Sequence, residues 1–452
     1  MTTRTAILSA MALVICALAV SLARPAPRGV ASSTSAVQSA AFQTVYVRLG
    51  SSADEGLLYQ PAASRLDSRI ALLFSHPDGN AFGYPVGPQM AARGYRILMV
   101  NHHGPDEGLW TYAPGIASGI RYLRSLPGVQ RVIIIGHSGG APLMAFYDNV
   151  AEHGPAVCDG PEKIYPCPAS SLTHLARPDG VILLDPPLGA FHTMSGVDPA
   201  VRGEKRTPAL DMFSRANGFD DVTGKATYSH RFAREFYAAQ SARNDRIVAR
   251  ALTRLRAIEH GKGQFRDDEP FVVPGMGVNA AGARLYQTEP ATFMAHTRQP
   301  HLLLKADGST ARAIIRSVRP PLGQFARELG TLRQMTQNTT VRSFLAENAI
   351  RTTPDFAITA DDIVGVQWAS SATSTPVNAA GITVPALVMV MTCHYLIVPG
   401  EIVYDHLAVR DRTYAAVAGA SHMFTPCRPQ YGDTGMRTFD FVAAWLAQPG
   451  RF

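Results

Sequence analysis

Four consecutive β-branched residues, Val132-Ile133-Ile134-Ile135, run into Gly136-His137-Ser138-Gly139-Gly140 without a polar break. Behind them, residues 141–153 carry the pattern of a helix, with Pro142 in the first turn, where its missing N–H costs nothing. A strand that is apolar at every position is buried on both faces, so it belongs inside a parallel sheet covered by helices on each side. A sharp turn from such a strand into a helix needs room at both ends, and Gly136 and Gly140 provide it. The bend holds the Ser138 hydroxyl out at the edge of the sheet, and the amino terminus of the following helix favours any negative charge that develops beside it. A glycine-rich turn with an incidental serine is the plainer reading, but the strand and helix on either side argue for a nucleophile.

Seven other short apolar or β-branched runs are bounded by turn residues: 44–48, 56–60, 70–75, 96–100, 180–184, 386–391 and 414–417. Helical patterns alternate with them, at 113–126 and 141–153, and a last one at 434–447 carries Phe439, Val442, Trp445 and Leu446 on one face. Strands alternating with helices predict an α/β fold with a doubly covered sheet. The alternation breaks between about 190 and 380, where residues 229–260 read as a long helix with Phe232, Phe236, Ile247, Leu252, Leu255 and Ile258 at helical spacing. Residues 311–318 and 324–335 also read as helices, and the arginines of this stretch read as a solvated surface. The expected organisation is a core from 44–189 and 381–452, with 190–380 as a mainly helical cap inserted between the sixth and seventh strands, over the carboxyl edge where such sheets bind ligands.

Residues 1–23 have the form of a secretory signal: Arg4, an apolar stretch from 6 to 23, and Ser21-Leu22-Ala23 as a small-x-small cleavage site. Residues 24–43 then read as a flexible amino-terminal segment, and a secreted or periplasmic location is expected, with no stable membrane anchor after cleavage. The apolar share of 46% is ample for a core and excludes wholesale disorder. Net charge is +7, and Arg4, Arg24 and Arg28 lie in the leader and the segment behind it, so no nucleic-acid footprint is present. Apart from Cys16 in the leader, Cys158, Cys167, Cys393 and Cys427 remain, an even number for an exported chain. Local pairing, Cys158 with Cys167 and Cys393 with Cys427, is the simplest of the three connectivities. In the chain-entropy model the two bridges contribute about 3 and about 4 kcal/mol.

A serine hydroxyl needs a base to take its proton. Of the fourteen histidines, His422, in Gly419-Ala420-Ser421-His422, lies between the last strand and the last helix. An oxyanion needs two converging N–H donors. The Gly139 amide, next after the serine, is one. The loop His76-Pro77-Asp78-Gly79-Asn80 supplies the other; Pro77 has no N–H, so Asp78 is preferred and Gly79 is second.

The serine elbow, the His-Pro-Asp-Gly loop and the Gly-Ala-Ser-His segment together resemble the α/β-hydrolase family over about half the chain. The resemblance implies an eight-stranded, mostly parallel sheet, a serine–histidine–acid triad in that chain order, and a lid at the place of the insertion. Family members commonly carry the acid just after the seventh strand, where this chain reads Thr392-Cys393-His394-Tyr395-Leu396 without a carboxylate. Asp185, at the end of the sixth strand, stands first among the alternatives, a position that some dehalogenases and lipases of the family use; Glu401 and Asp405 follow. A bridge between Cys393 and Cys427 would brace the His422 loop from behind, in a position resembling that in cutinase-like polyester hydrolases.

What the resemblance implies is a serine hydrolase acting on a small-molecule or polymeric ester through an acyl-enzyme. The alternatives are an amidase or peptidase with the same machinery, or a silent binding protein that has lost its acid. A dehalogenase is disfavoured, since that chemistry needs an aspartate where Ser138 stands. No Gly-x-Gly-x-x-Gly after a strand and no phosphate loop is present, so no cofactor is expected. His102 and His103 follow the fourth strand, but neighbours on an extended chain point to opposite faces, so lining of a pocket is expected before a metal site.

Overall fold

The computed structural model describes residues 42–50, 54–62, 69–77, 80–104, 107–203, 205–277, 282–321 and 335–452. Of the leader and amino-terminal segment expected at 1–43, residues 1–41 lie outside the described residues, as do Asp78 and Gly79, while Phe42 and Gln43 belong to a strand rather than to a flexible segment.

The central sheet is built from β1 (Phe42–Arg48), β2 (Asp54–Pro61), β3 (Ile70–Ser75), β4 (Arg96–His102), β5 (Arg131–His137), β6 (Gly180–Leu184), β7 (His296–Leu304), β8 (Thr310–Arg316), β9 (Ala386–Met391) and β10 (Arg412–Val417). Their spatial order is β1-β2-β4-β3-β5-β6-β9-β10-β7-β8. From β4 to β7 neighbours run parallel; β1 and β2 at one edge and β8 at the other are antiparallel. All eight strands read from the sequence are present, but the sheet has ten. The extra two come from the insertion: β7 pairs with β10 through Leu302, Leu303 and Leu304, and β8 closes the edge.

Alternation within each strand feeds two cores. Val132 and Ile134 face one side, with Ile116 and Ile120 of α1 (Ala113–Ser125) and Leu143 and Phe146 of α2 (Gly140–His153). Ile133 and Ile135 face the other, with Met90 and with Phe439 and Trp445 of the carboxyl-terminal helix Thr434–Leu446. Each of these buried side chains contributes roughly 1.5–3 kcal/mol of hydrophobic free energy. That is why the central strands lack a polar face.

The insertion corrects the helical expectation in part. Its long helix, α3 (His230–Glu259), is present and is capped by the Ser229 side chain accepting from the Phe232 N–H. Residues 311–318, expected helical, are mostly β8, and four two-stranded ribbons among the described residues of the insertion pair Pro270–Pro274 with Thr336–Thr340, Arg351–Ile358 with Ile363–Gln367, Val201–Arg202 with Lys205–Arg206, and Phe219–Asp220 with Lys225–Ala226. Most of the helix expected at 324–335 lies outside the described residues. Phe232 and Phe236 at the start of α3 join the main core, whereas Ile247, Val248, Ala251 and Leu255 pack with Phe271, Val273 and Phe344 in a separate one.

Candidate active site

Ser138 follows β5 with φ of 52°, and its N–H donates to the Leu184 carbonyl at the end of β6 (3.0 Å). A β-carbon on Gly136 would run into the Gly140 carbonyl, and one on Gly140 would lie 2.6 Å from the Ser75 carbonyl. The elbow therefore tolerates no side chain at either glycine. Asp185 follows β6 with φ of 49°, and Phe424, two residues past His422, has φ of 66°. Five non-glycine residues among those described have positive φ, and these three share one corner of the sheet. Backbone held in such conformations gathers at functional sites because the surrounding structure must impose it.

His422 comes from the loop behind β10, and its Nδ1 lies 2.6 Å from Asp185 Oδ2. His394, in the loop behind β9, approaches the same oxygen through its own Nδ1, at 2.7 Å. A carboxylate oxygen only accepts, so both imidazoles donate their Nδ1–H, and Nε2 of His422 is left as an acceptor. The Met391 N–H donates to the other oxygen of Asp185. Burial by itself would raise the Asp185 carboxyl, but the two imidazoles outweigh it and hold the acid well below the usual carboxylate range. Burial draws His394 down to about 4, against the opposing pull of Asp185.

The remaining carboxylates named from the sequence are engaged elsewhere. Glu401 is fully buried and accepts from the Arg298 and Gln299 N–H groups and from His301 (2.8 Å), and Asp405 pairs with Arg298 (2.7 Å). Both tie the helix Ile397–His406 to β7. His102 bonds Asp54 and His103 bonds Glu55 across the β2–β4 ladder, on opposite sides as alternation requires. Neither lines the cavity beside the elbow, which corrects the expectation of a pocket role.

Sequence reasoning undervalued two residues. His137 is fully buried, and its Nε2 lies 2.8 Å from the His422 carbonyl; that oxygen can only accept, so the proton sits on Nε2. The residue next to Ser138 thus holds the backbone of His422, with its ring 4.5 Å from the His422 ring. His394 was visible only as the residue where a carboxylate was sought. Its loop is fastened on both sides: Val318 N–H donates to the Thr392 carbonyl (2.7 Å), Ser317 Oγ donates to the His394 carbonyl (3.2 Å), and a disulfide joins Cys393 to Cys427. Cys158 and Cys167 form the second bridge.

A cavity of about 130 Å³ opens beside Gly139. Pro77, Leu109 and Pro142 of the core wall it on one side, and Glu347 and Asn348 of the insertion on the other. Ser138, Asp185 and His422, in that chain order, lie beyond the carboxyl ends of β5, β6 and β10. Asp185, His394 and His422 also bring a carboxylate oxygen and two ring nitrogens within 4.8 Å of one another. With both Nδ1 atoms directed at the carboxylate, that trio is a hydrogen-bonded group rather than a cage aimed at a common cation.

Strand, serine elbow, helix and a histidine loop behind the last parallel core strand give the chain the architecture of an α/β hydrolase. No protein-family profile matches the sequence. No curated protein matches it either. Among solved structures it is similar to the α/β hydrolase GrgF from Penicillium sp. sh18, with 11% identity over 90% of this chain and 99% of that one and a TM-score of 0.40. It is similar to Est1E from Butyrivibrio proteoclasticus, with 10% identity over 90% and 99% and a TM-score of 0.36. A bacterial brefeldin A esterase gives 13% identity over 90% and 76%, with a TM-score of 0.38. Likeness at such identity carries no activity across. Among the described residues, no helix is long and apolar enough to cross a membrane.

Proposed function

We propose that the protein is an exported serine hydrolase that cleaves carboxylic esters of short acyl groups. The observation that carries the reading is the 2.6 Å contact between Asp185 Oδ2 and His422 Nδ1, which fixes the tautomer a general base requires. Ser138 Oγ attacks the acyl carbon while His422 takes its proton at Nε2. The Gly139 amide, and an amide of the 78–79 loop, stabilise the oxyanion. His422 then passes the proton to the departing alkoxide. Water, deprotonated by His422, releases the acid from Ser138. The buried negative charge of Asp185 stabilises the imidazolium in both halves of the cycle.

This favours an enzyme over a silent binding protein, because the acid that seemed missing behind the seventh core strand is supplied by Asp185. The cavity of about 130 Å³ suits a short acyl chain and is well under the roughly 300–1,000 Å³ of drug-sized pockets. The insertion's Glu347 and Asn348 in its wall support a role for 190–380 as a cap. Turnover of p-nitrophenyl acetate by the purified mature chain, and its loss in Ser138→Ala with an unchanged circular dichroism spectrum, tests the assignment. Equal turnover by the variant would overturn it.

A further inference from the structure

The arginines of the insertion, read from sequence as a solvated surface, converge in the structure. Arg243, Arg246 and Arg250 fall at i, i+3 and i+7 of α3, hence on one face. Arg202, from the ribbon Val201–Arg202, joins them across a cleft of about 570 Å³. Gly203 and Ile247 complete the part of the wall that matters here, and among the described residues no carboxylate lines it.

Arg243 is only 9% exposed. Three of its N–H groups donate to the carbonyls of Asp198, Gly275 and Pro274, which fixes the guanidinium in place. Arg250 donates to the Val272 carbonyl (3.0 Å) and stacks on the Phe271 ring at 4.6 Å. Arg202 and Arg246 are exposed. Asp198, the carboxylate that acts on Arg243, is already engaged by Arg206 (2.8 Å) and the Ala200 N–H, and Asp245 beside Arg246 feels that guanidinium's charge. Burial lowers Arg243 most, Asp198 offsets part of that, and the charges of Arg246, Arg250 and Arg206 push it further down, to about 10.

Such an arrangement works against the stability of the free protein. Like charges four apart on a helix repel, as Arg246 and Arg250 must, and a buried cation without its own counter-ion is costly. Guanidinium groups present a planar fork of donors that matches phosphate oxygens in pairs. Two fixed and two exposed forks around one cleft fit an anion carrying more than one negative charge.

We propose that the cleft formed by Arg202, Arg243, Arg246 and Arg250 binds a multiply charged phosphate group. A soluble small molecule and a lipid headgroup both offer the same phosphate oxygens. The site is separate from the elbow, so it stands or falls independently of ester hydrolysis.

The test is calorimetric titration of the mature chain with tripolyphosphate at about 0.1 M salt, where long-range attraction between exposed charges is largely screened. Wild type is expected to show one saturable site, and the double variant Arg202→Gln/Arg246→Gln to bind at least about 10-fold more weakly. Both substituted side chains are exposed, and unchanged thermal melting of the variant confirms that the fold is kept. No saturable binding by wild type, or equal affinity in the variant, overturns the proposal. Co-sedimentation with phosphatidylcholine vesicles, with and without phosphatidic acid, separates the two sources. Sedimentation with acidic vesicles that the variant loses assigns the phosphate to lipid; tripolyphosphate binding without that difference assigns it to a soluble ligand.

Discussion

His394 and His422 reach the same oxygen of Asp185, at 2.7 and 2.6 Å, from loops behind adjacent strands. Their rings stack at 4.3 Å. One imidazole, His422, is the base proposed for Ser138, and the other occupies the place where the family resemblance leads one to look for the acid. A second donor on Asp185 keeps the carboxylate ionised although it is fully buried.

Asp185 and Glu401 should separate cleanly. Asp185→Asn cannot hold the Nδ1–H tautomer of His422 and is expected to lower kcat by about 10⁴-fold with little change in fold. Glu401→Gln is expected to keep kcat within a few-fold. It should instead cost about 1–3 kcal/mol in urea denaturation, since the backbone donors of Arg298 and Gln299 lose a charged acceptor. Loss of turnover in the Glu401 variant with the Asp185 variant active would reverse the assignment.

The pH dependence of stability carries the mark of His394. Its folded pKa of about 4 lies below the usual 6.5, so between those values the unfolded chain takes up a proton that the folded chain refuses. Stability present above pH 6.5 is therefore lost as pH falls toward 4, by up to about 3 kcal/mol from this residue. His137, also drawn down by burial, adds to the loss. Urea denaturation at pH 7 and at pH 4.5 should show a smaller loss for His394→Gln than for wild type. An identical loss would remove His394 from the account.

Chain-length preference follows from the cavity beside Gly139. Turnover of p-nitrophenyl acetate and butyrate should exceed that of the palmitate by at least about 10-fold in kcat/KM, because a single misfitted group is worth 1–3 kcal/mol. A preference for the long ester would contradict the short-acyl reading.

The core of the fold was legible because its strands bury both faces and so carry no polar residues: each of 132–135 and 386–391 is fully buried. The strands of the insertion were not. β8 lies at the sheet edge with largely half-exposed residues, and Ala311-Arg312-Ala313-Ile314-Ile315-Arg316 fits a helical stripe as readily as a strand. β7 contains Pro300 and is irregular between His296 and Pro300; only Leu302 to Leu304 pair with β10. Ser138 and Asp185 were legible as candidates because each directly follows an apolar strand, and His422 because it lies between the last strand and the last helix. His394 was not, since its meaning comes from a partner 209 residues away and from a loop held by Val318 and Cys427. The arginine cleft was hidden for a similar reason: the spacing along α3 was readable, but the approach of Arg202 was not.

Everything proposed for the site depends on Ser138 being a hydroxyl that His422 can deprotonate. Treatment of the purified protein with a fluorophosphonate, followed by mass mapping of the adduct, measures this directly. One equivalent on Ser138, abolished in Ser138→Ala and strongly slowed in Asp185→Asn, is the expected result. Labelling at another residue, or none in the folded wild type, would contradict the account.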